Sequence, residues 1–127
     1  MRFLLDTHAA IWYFEDSPQL SQKVNSLIDN PEISIFISSA SLWEIAIKMS
    51  LGKLGLGMSF KDFLNSIRTR DFEILQIEDE YLEVLLTLPQ LHKDPFDRLI
   101  ISTAIADNLT IITIDENIKK YNVPWIW

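Results

Sequence analysis

The sequence predicts an α/β domain in which a mostly parallel central sheet is flanked by layers of helices. Two observations predict it. Short β-branched runs alternate along the chain with segments whose apolar residues recur at helical spacing, and strands that alternate with helices pair in parallel. In addition, an aspartate follows the first such run at Asp6 and the last long one at Asp115. Ligands of parallel sheets bind beyond the carboxyl ends of the strands.

The elements follow in order. Residues 2–5 form a short apolar run ending at Asp6 and read as a buried strand. Residues 7–14 form a short helix capped by Asp6 or Thr7. Ser17-Pro18 opens a second helix with Leu20, Val24, Leu27 and Ile28 on one face, stopped by Asn30-Pro31. Residues 33–37, Ile-Ser-Ile-Phe-Ile, form a second strand. Ser38 or Ser39 caps a helix running to about Leu51, and Gly52, Gly55 and Gly57 mark the loop after it. A helix follows over residues 59–69 on a Phe60, Phe63, Leu64, Ile67 stripe. Residues 72–77 read as a strand and 78–88 as a helix with acids at its positive end. Asp94-Pro95 opens the next helix, which runs to about Asp107 with Asn108 just past its end. Residues 110–114 form a strand, and 123–127 an edge strand in which Pro124 is allowed. No repeat, low-complexity tract or linker divides the chain, so residues 1–127 are expected to form a single domain.

With 127 residues and 48% hydrophobic content, a chain buries enough surface for one core without covalent staples. There are no cysteines, which excludes disulfides and thiolate metal sites. No apolar run approaches the roughly 20 residues a bilayer requires, and the N-terminus turns acidic too early for a signal peptide. The expected location is the cytoplasm. The net charge of −7 argues against broad non-specific nucleic-acid binding, which needs Lys and Arg to neutralise phosphates. It leaves room for a nuclease, because carboxylates gathered for a metal inflate the negative count and bound cations offset it.

Four acids carry the functional reading: Asp6, Glu44, Asp97 and Asp115. A buried lone carboxylate is costly, and several converging on one place repel each other unless a cation lies between them. The pattern points to a hard divalent metal. Each acid also has a plain structural role open to it. Asp6 caps the helix at Thr7. Glu44 interrupts an apolar helix between Trp43 and Ile45, and stands four residues before Lys48 in the favoured order for an ion pair. Asp97 follows Asp94-Pro95 in a near capping box, and Asp115 caps a short turn through Ile118. Thr113 is a candidate for orienting a ligand, and Arg98, beside Asp97, for pairing with either carboxylate or reaching a phosphate. Lys48, Lys53 and Lys93 are the other cations close in sequence. His8 and His92 have no partner at zinc-like spacing, which leaves His92 as a substrate contact or an ordinary loop residue. No Gly-rich phosphate loop and no Ser-His-Asp spacing is present.

Four stretches together resemble a PIN-domain ribonuclease, and more narrowly a VapC-type toxin of a type II toxin–antitoxin pair. They are Phe3-Leu4-Leu5-Asp6-Thr7-His8, Ser39-Ala40-Ser41-Leu42-Trp43-Glu44-Ile45, His92-Lys93-Asp94-Pro95-Phe96-Asp97-Arg98-Leu99-Ile100 and Thr113-Ile114-Asp115. They fall in order over essentially the whole chain. The resemblance implies a three-layer PIN-like fold and an acidic pocket of Asp6, Glu44, Asp97 and Asp115 that binds Mg2+ or Mn2+ and hydrolyses RNA. Asp94 matches an acid that caps the helix. A homodimer and a cognate antitoxin are implied as partners, with Trp12, Tyr13, Phe14, Trp43, Ile47, Leu51, Leu54 and Leu56 as interface candidates. Three other readings remain: a receiver-like Mg-binding module, a domain whose acids serve only as caps, and a structure-selective DNA nuclease. The first fits poorly, since the strand at 33–37 ends in serines rather than an aspartate.

Overall fold

A computed structural model describes all 127 residues. Its elements are β1 (Arg2–Leu5), α1 (Thr7–Phe14), α2 (Gln22–Asp29), β2 (Ser34–Ser38), α3 (Ser39–Ser50), α4 (Phe60–Thr69), β3 (Glu73–Leu75), α5 (Asp79–Thr87), α6 (Pro95–Asp107), β4 (Thr110–Ile112), α7 (Glu116–Lys119) and β5 (Trp125–Ile126). The strands form one sheet in the order β3-β2-β1-β4-β5. Every pairing is parallel, so the expected mostly parallel sheet is wholly so.

Alternation of side chains across the strands builds the layers. Phe3, Leu5, Ile35, Ile37 and Ile112 face one side and pack with residues of α1, α2 and α4 in the larger core. Leu4, Phe36 and Ile111 face the other, against Ile100, Ile101 and Ala104 of α6 and Ile118 of α7. Helix α3 touches both α1 and α6, and so links the two layers. No helix is long and apolar enough to cross a membrane.

Chain order reverses between β1 and β4, which are direct neighbours in the sheet. At such a switch point the chain leaves the two strands in opposite directions and opens a crevice at their carboxyl ends. Leu5 pairs with both Ile37 and Ile112, which sets Asp6 beside the residues that follow β4. The Asp6 amide donates to the Ile112 carbonyl at 3.1 Å, fixing that edge.

Several boundaries differ from expectation. Helix α2 starts at Gln22, capped by Ser21 rather than opened by Ser17-Pro18. The Ser17 hydroxyl instead accepts from the Gln19 amide and its carbonyl from Leu20, closing a separate turn. Strand β4 stops at Ile112, two residues early, so Asp115 stands clear of the strand on a short connection. Strands β3 and β5 are likewise shorter than their apolar runs. Helix α3, apolar nearly all round, is not buried all round: Trp43 is 60% exposed. Asn108 ends α6 in the left-handed conformation, as its place past the helix end suggested.

Ile37 is fully buried in β2 at the centre of the larger core. The Ile37→Ala variant is expected to lose about 2–5 kcal/mol in urea unfolding with an unchanged m-value. A smaller loss would mean that the core relaxes around the cavity.

Candidate active site

Asp6 sits directly after β1 and is buried. Its Oδ1 accepts from the Ala9 amide at 2.7 Å, as the cap of α1, and its Oδ2 accepts from the Thr113 hydroxyl. Capping of α1 and the tie to Thr113 therefore share this side chain. The Thr113 hydroxyl also accepts from the Asp115 amide at 2.9 Å, tying the two strand ends together. Thr113 is fully buried, and orienting Asp6 uses its only proton.

Glu44, just over one turn into α3, is 3% exposed. Its Oε1 accepts from Thr7 at 2.7 Å and its Oε2 from the Lys48 ammonium at 2.6 Å. The pair with Lys48 that the spacing suggested therefore forms, with a buried carboxylate at one end and a 40% exposed cation at the other. The Thr7 hydroxyl also lies 3.0 Å from that of Ser41. It has one proton, which the carboxylate takes, so Ser41 donates to Thr7. Lys48 is held above its usual range, chiefly by the hydrogen bond to Glu44, and also feels Asp94 and Asp97.

Asp97 stands in the first turn of α6. Asp94 caps that helix, accepting from the Phe96 and Asp97 amides at 2.9 and 3.0 Å. The capping box is not closed, because the Asp97 carboxylate turns to His92 Nε2, 3.4 Å away. Asp115 caps α7, accepting from Asn117 and Ile118 through one oxygen, and is half-buried.

Burial raises Asp97 to about 8, with further push from Asp94, Asp115, Glu44 and Asp6 in that order. Burial likewise raises Asp6 to about 6, against the pull of its bonds from Thr113 and Ala9. Asp97 thus feels the other three acids named from the sequence, and Asp6 feels Asp115, more than a hundred residues away in the chain. They do not close on a point, and no three Asp, Glu or His side chains are grouped tightly enough to hold a single ion. Glu44 is drawn toward Thr7 and Lys48, and like charges keep apart. A concavity of 620 Å3 bounded by Tyr13, Asp29, Asp62 and Arg70 includes none of these acids.

Arg98 is a correction. Its guanidinium is buried and donates to the Leu88 and Pro89 carbonyls and the Tyr121 hydroxyl, so it pairs with neither carboxylate and does not reach for phosphate. It joins the end of α5 to α6, because a buried charge must find partners. Lys53 and Lys93 make no ion pair. His8 is exposed and packs on Trp12. Of the interface candidates, Trp43 and Leu51 are exposed, while Trp12, Tyr13, Phe14, Leu54 and Leu56 pack half-buried against the larger core. Thr7, Ser41 and Tyr121 take part in the site without having been singled out. A hydroxyl directly after Asp6 and a serine one turn before Glu44 were the available signals for the first two.

A family model described as PIN domain matches residues 3–124. A curated protein, Ribonuclease VapC22 of Mycobacterium tuberculosis (strain ATCC 25618 / H37Rv), is 24% identical over 122 residues, covering 95% of this chain and 92% of its own. A crystal structure of VapBC2 from Rickettsia felis, bound to a DNA fragment from their promoter, has a chain that superposes with TM-score 0.76. It is 22% identical and covers 100% of this chain and 99% of that one. A toxin-antitoxin complex from Klebsiella pneumoniae has a chain that superposes with TM-score 0.61 at 22% identity, covering 88% and 85%. At these identities the structural likeness is one of fold.

Raised carboxyls have a signed consequence. Stability that depends on Asp97 and Asp6 holding protons is complete below the unfolded value of 3.8. It is lost as pH rises through about 6 for Asp6 and about 8 for Asp97. In EDTA the melting temperature is expected to fall between pH 4 and pH 8, and Mn2+ is expected to raise it more at pH 8 than at pH 5. Circular dichroism melts measure this, and a flat profile with no Mn2+ effect would dissolve the cluster.

Proposed function

The chain belongs to the PIN domain family, and from that premise we propose that it is a divalent-metal-dependent endoribonuclease. It hydrolyses RNA phosphodiester bonds and serves as the toxin of a toxin–antitoxin pair. One observation carries the reading: acids from separate elements come together at the carboxyl edge of the sheet, where burial first, and the charges of Asp94, Asp115, Glu44 and Asp6 after it, raise Asp97 to about 8. Such a set is stable when a cation neutralises it. The name Ribonuclease VapC22 supports the activity, and the Klebsiella pneumoniae complex supports an antitoxin partner.

The donors fit Mg2+ or Mn2+. All are carboxylate oxygens, the ligands such hard cations take, and Mg2+ needs only one or two from the protein. One or two of Asp6, Glu44, Asp97 and Asp115 would hold the ion, since no three of them are grouped tightly enough to do so together. When bound, it supplies Lewis-acid charge for the phosphate oxygens and the attacking water. The remaining groups orient. Thr113 and the Ala9 amide set Asp6, Thr7 sets Glu44, and His92 sets Asp97. The Lys48 ammonium, part-exposed beside Glu44 and sensing Asp94 and Asp97, is the cation placed to meet a substrate phosphate. A homodimer in the cytoplasm belongs to the same reading, with Trp43 and Leu51 among the exposed apolar residues available to a partner.

The test is cleavage of a labelled total-RNA pool with Mg2+ and with EDTA, by the wild type and by Asp6→Asn and Asp97→Asn. Asn caps a helix as well as Asp, so Asp6→Asn keeps α1. Each variant is expected to lose more than about 100-fold in rate, beyond what removing a ligand-orienting group costs. Metal-independent cleavage, or none at all by folded wild type, would overturn the reading. A folded Asp97→Asn protein that cuts normally would remove that residue from the machinery.

A further inference from the structure

Tyr121 is buried just beyond α7, far in sequence from His92 and Asp97. Its hydroxyl meets three nitrogens: Arg98 Nη1 at 3.0 Å, the His92 amide at 3.2 Å and His92 Nδ1 at 2.9 Å. The first two can only donate, and together they fill both lone pairs of the phenol oxygen. Its own proton is left for Nδ1, which must then be an acceptor. The ring proton of the neutral imidazole lies on Nε2, the nitrogen that faces Asp97 Oδ2 at 3.4 Å.

We propose that Tyr121 is a positioning residue for the nuclease site: with Arg98 behind it, it locks His92 in the Nε2–H tautomer and so orients the Asp97 carboxylate among the other acids. The inference rests on the reading of Asp97 as part of that site. Nothing else holds this carboxylate, since His92 is its only side-chain hydrogen-bond partner and the capping box is left open. Arg98 in turn is anchored on the Leu88 and Pro89 carbonyls, so the clamp is fixed to the backbone between α5 and α6. The edge-to-face packing of His92 on Tyr121, centroids 5.4 Å apart, limits ring rotation. Of the two functions that suit a histidine beside a carboxylate, a fixed donor fits this geometry better than a free substrate contact.

The test is Tyr121→Phe, His92→Ala and the double variant, each checked for folding by circular dichroism. Nitrogen-15 NMR of metal-free protein reads the His92 tautomer. Wild type is expected to show an Nε2–H signature that Tyr121→Phe mixes with Nδ1–H. Mn2+ affinity by paramagnetic resonance and RNA-cleavage kcat are each expected to fall about tenfold in Tyr121→Phe, as for groups that orient metal ligands, with KM for RNA unchanged. On the His92→Ala background Tyr121→Phe is expected to add nothing, because it acts through that ring. An unchanged tautomer and Mn2+ affinity in Tyr121→Phe, or losses that multiply in the double variant, would overturn the proposal. If Tyr121→Phe does not fold, His92→Gln, whose amide donates without help, is expected to keep Mn2+ affinity that His92→Ala loses; equal affinity in both would overturn it. Wild type that binds Mn2+ but cuts no RNA would overturn the ribonuclease reading alone, since the tautomer and Mn2+ affinity still report on the clamp.

Discussion

The constraint on which this structure depends is the cost of holding several carboxylates together away from water. Partial burial, and after it the neighbouring acids, raise Asp97 to about 8. Every neighbouring donor is placed to limit that cost: the Ala9 amide and Thr113 on Asp6, Thr7 and Lys48 on Glu44, His92 on Asp97. No buried side-chain nitrogen or oxygen is left without a partner. Each acid is thus satisfied singly, while the charges of its neighbours still push Asp97 further up.

Topology supplies what no local element can. The β3-β2-β1-β4-β5 order makes β1 and β4 neighbours, so residue 6 and residues 113–115 meet although more than a hundred residues separate them. Helix α3 bridges the layers and brings Glu44 in from one side, and the first turn of α6 brings Asp97 from the other. The hydrophobic core is a precondition for this. The two apolar faces of the sheet set the strands in register, and register sets which residues leave the sheet at the crevice.

Most of the fold was legible because the apolar runs are short, β-branched and punctuated, and because caps such as Ser38, Asp94 and Asp115 mark helix starts in the sequence. The second helix was misplaced by four residues because Ser17-Pro18 and Ser21 both look like starts. Only the local turn made by Ser17 decides between them. Strand β4 was drawn too long because Thr113 and Ile114 are β-branched, whereas pairing ends where the two-residue partner β5 ends. Glu44 was legible as the interruption of an apolar helix, and Asp6 and Asp115 as acids at the ends of apolar strands. The donors that hold them were not, since Thr7, Ser41 and Tyr121 are ordinary residues until tertiary structure brings them near a carboxylate. Arg98 was misread for the same reason: adjacency to Asp97 in sequence puts it on another face of α6, where backbone carbonyls claim it.

On the proposed reading Asp6 and Asp115 have a second duty besides capping, and that separates them from their partners over evolutionary time. Each caps a helix, and losing a cap costs about 0.5–2 kcal/mol, a large part of the margin on which a small domain folds. Selection for folding alone would keep both. Glu44 and Asp97 cap nothing, and the burial that raises Asp97 works against folding near neutral pH. A descendant released from its chemistry would shed Glu44 and Asp97 first and keep the other two as relics. Among related chains, retention of the helix-borne pair is therefore the better mark of a working enzyme.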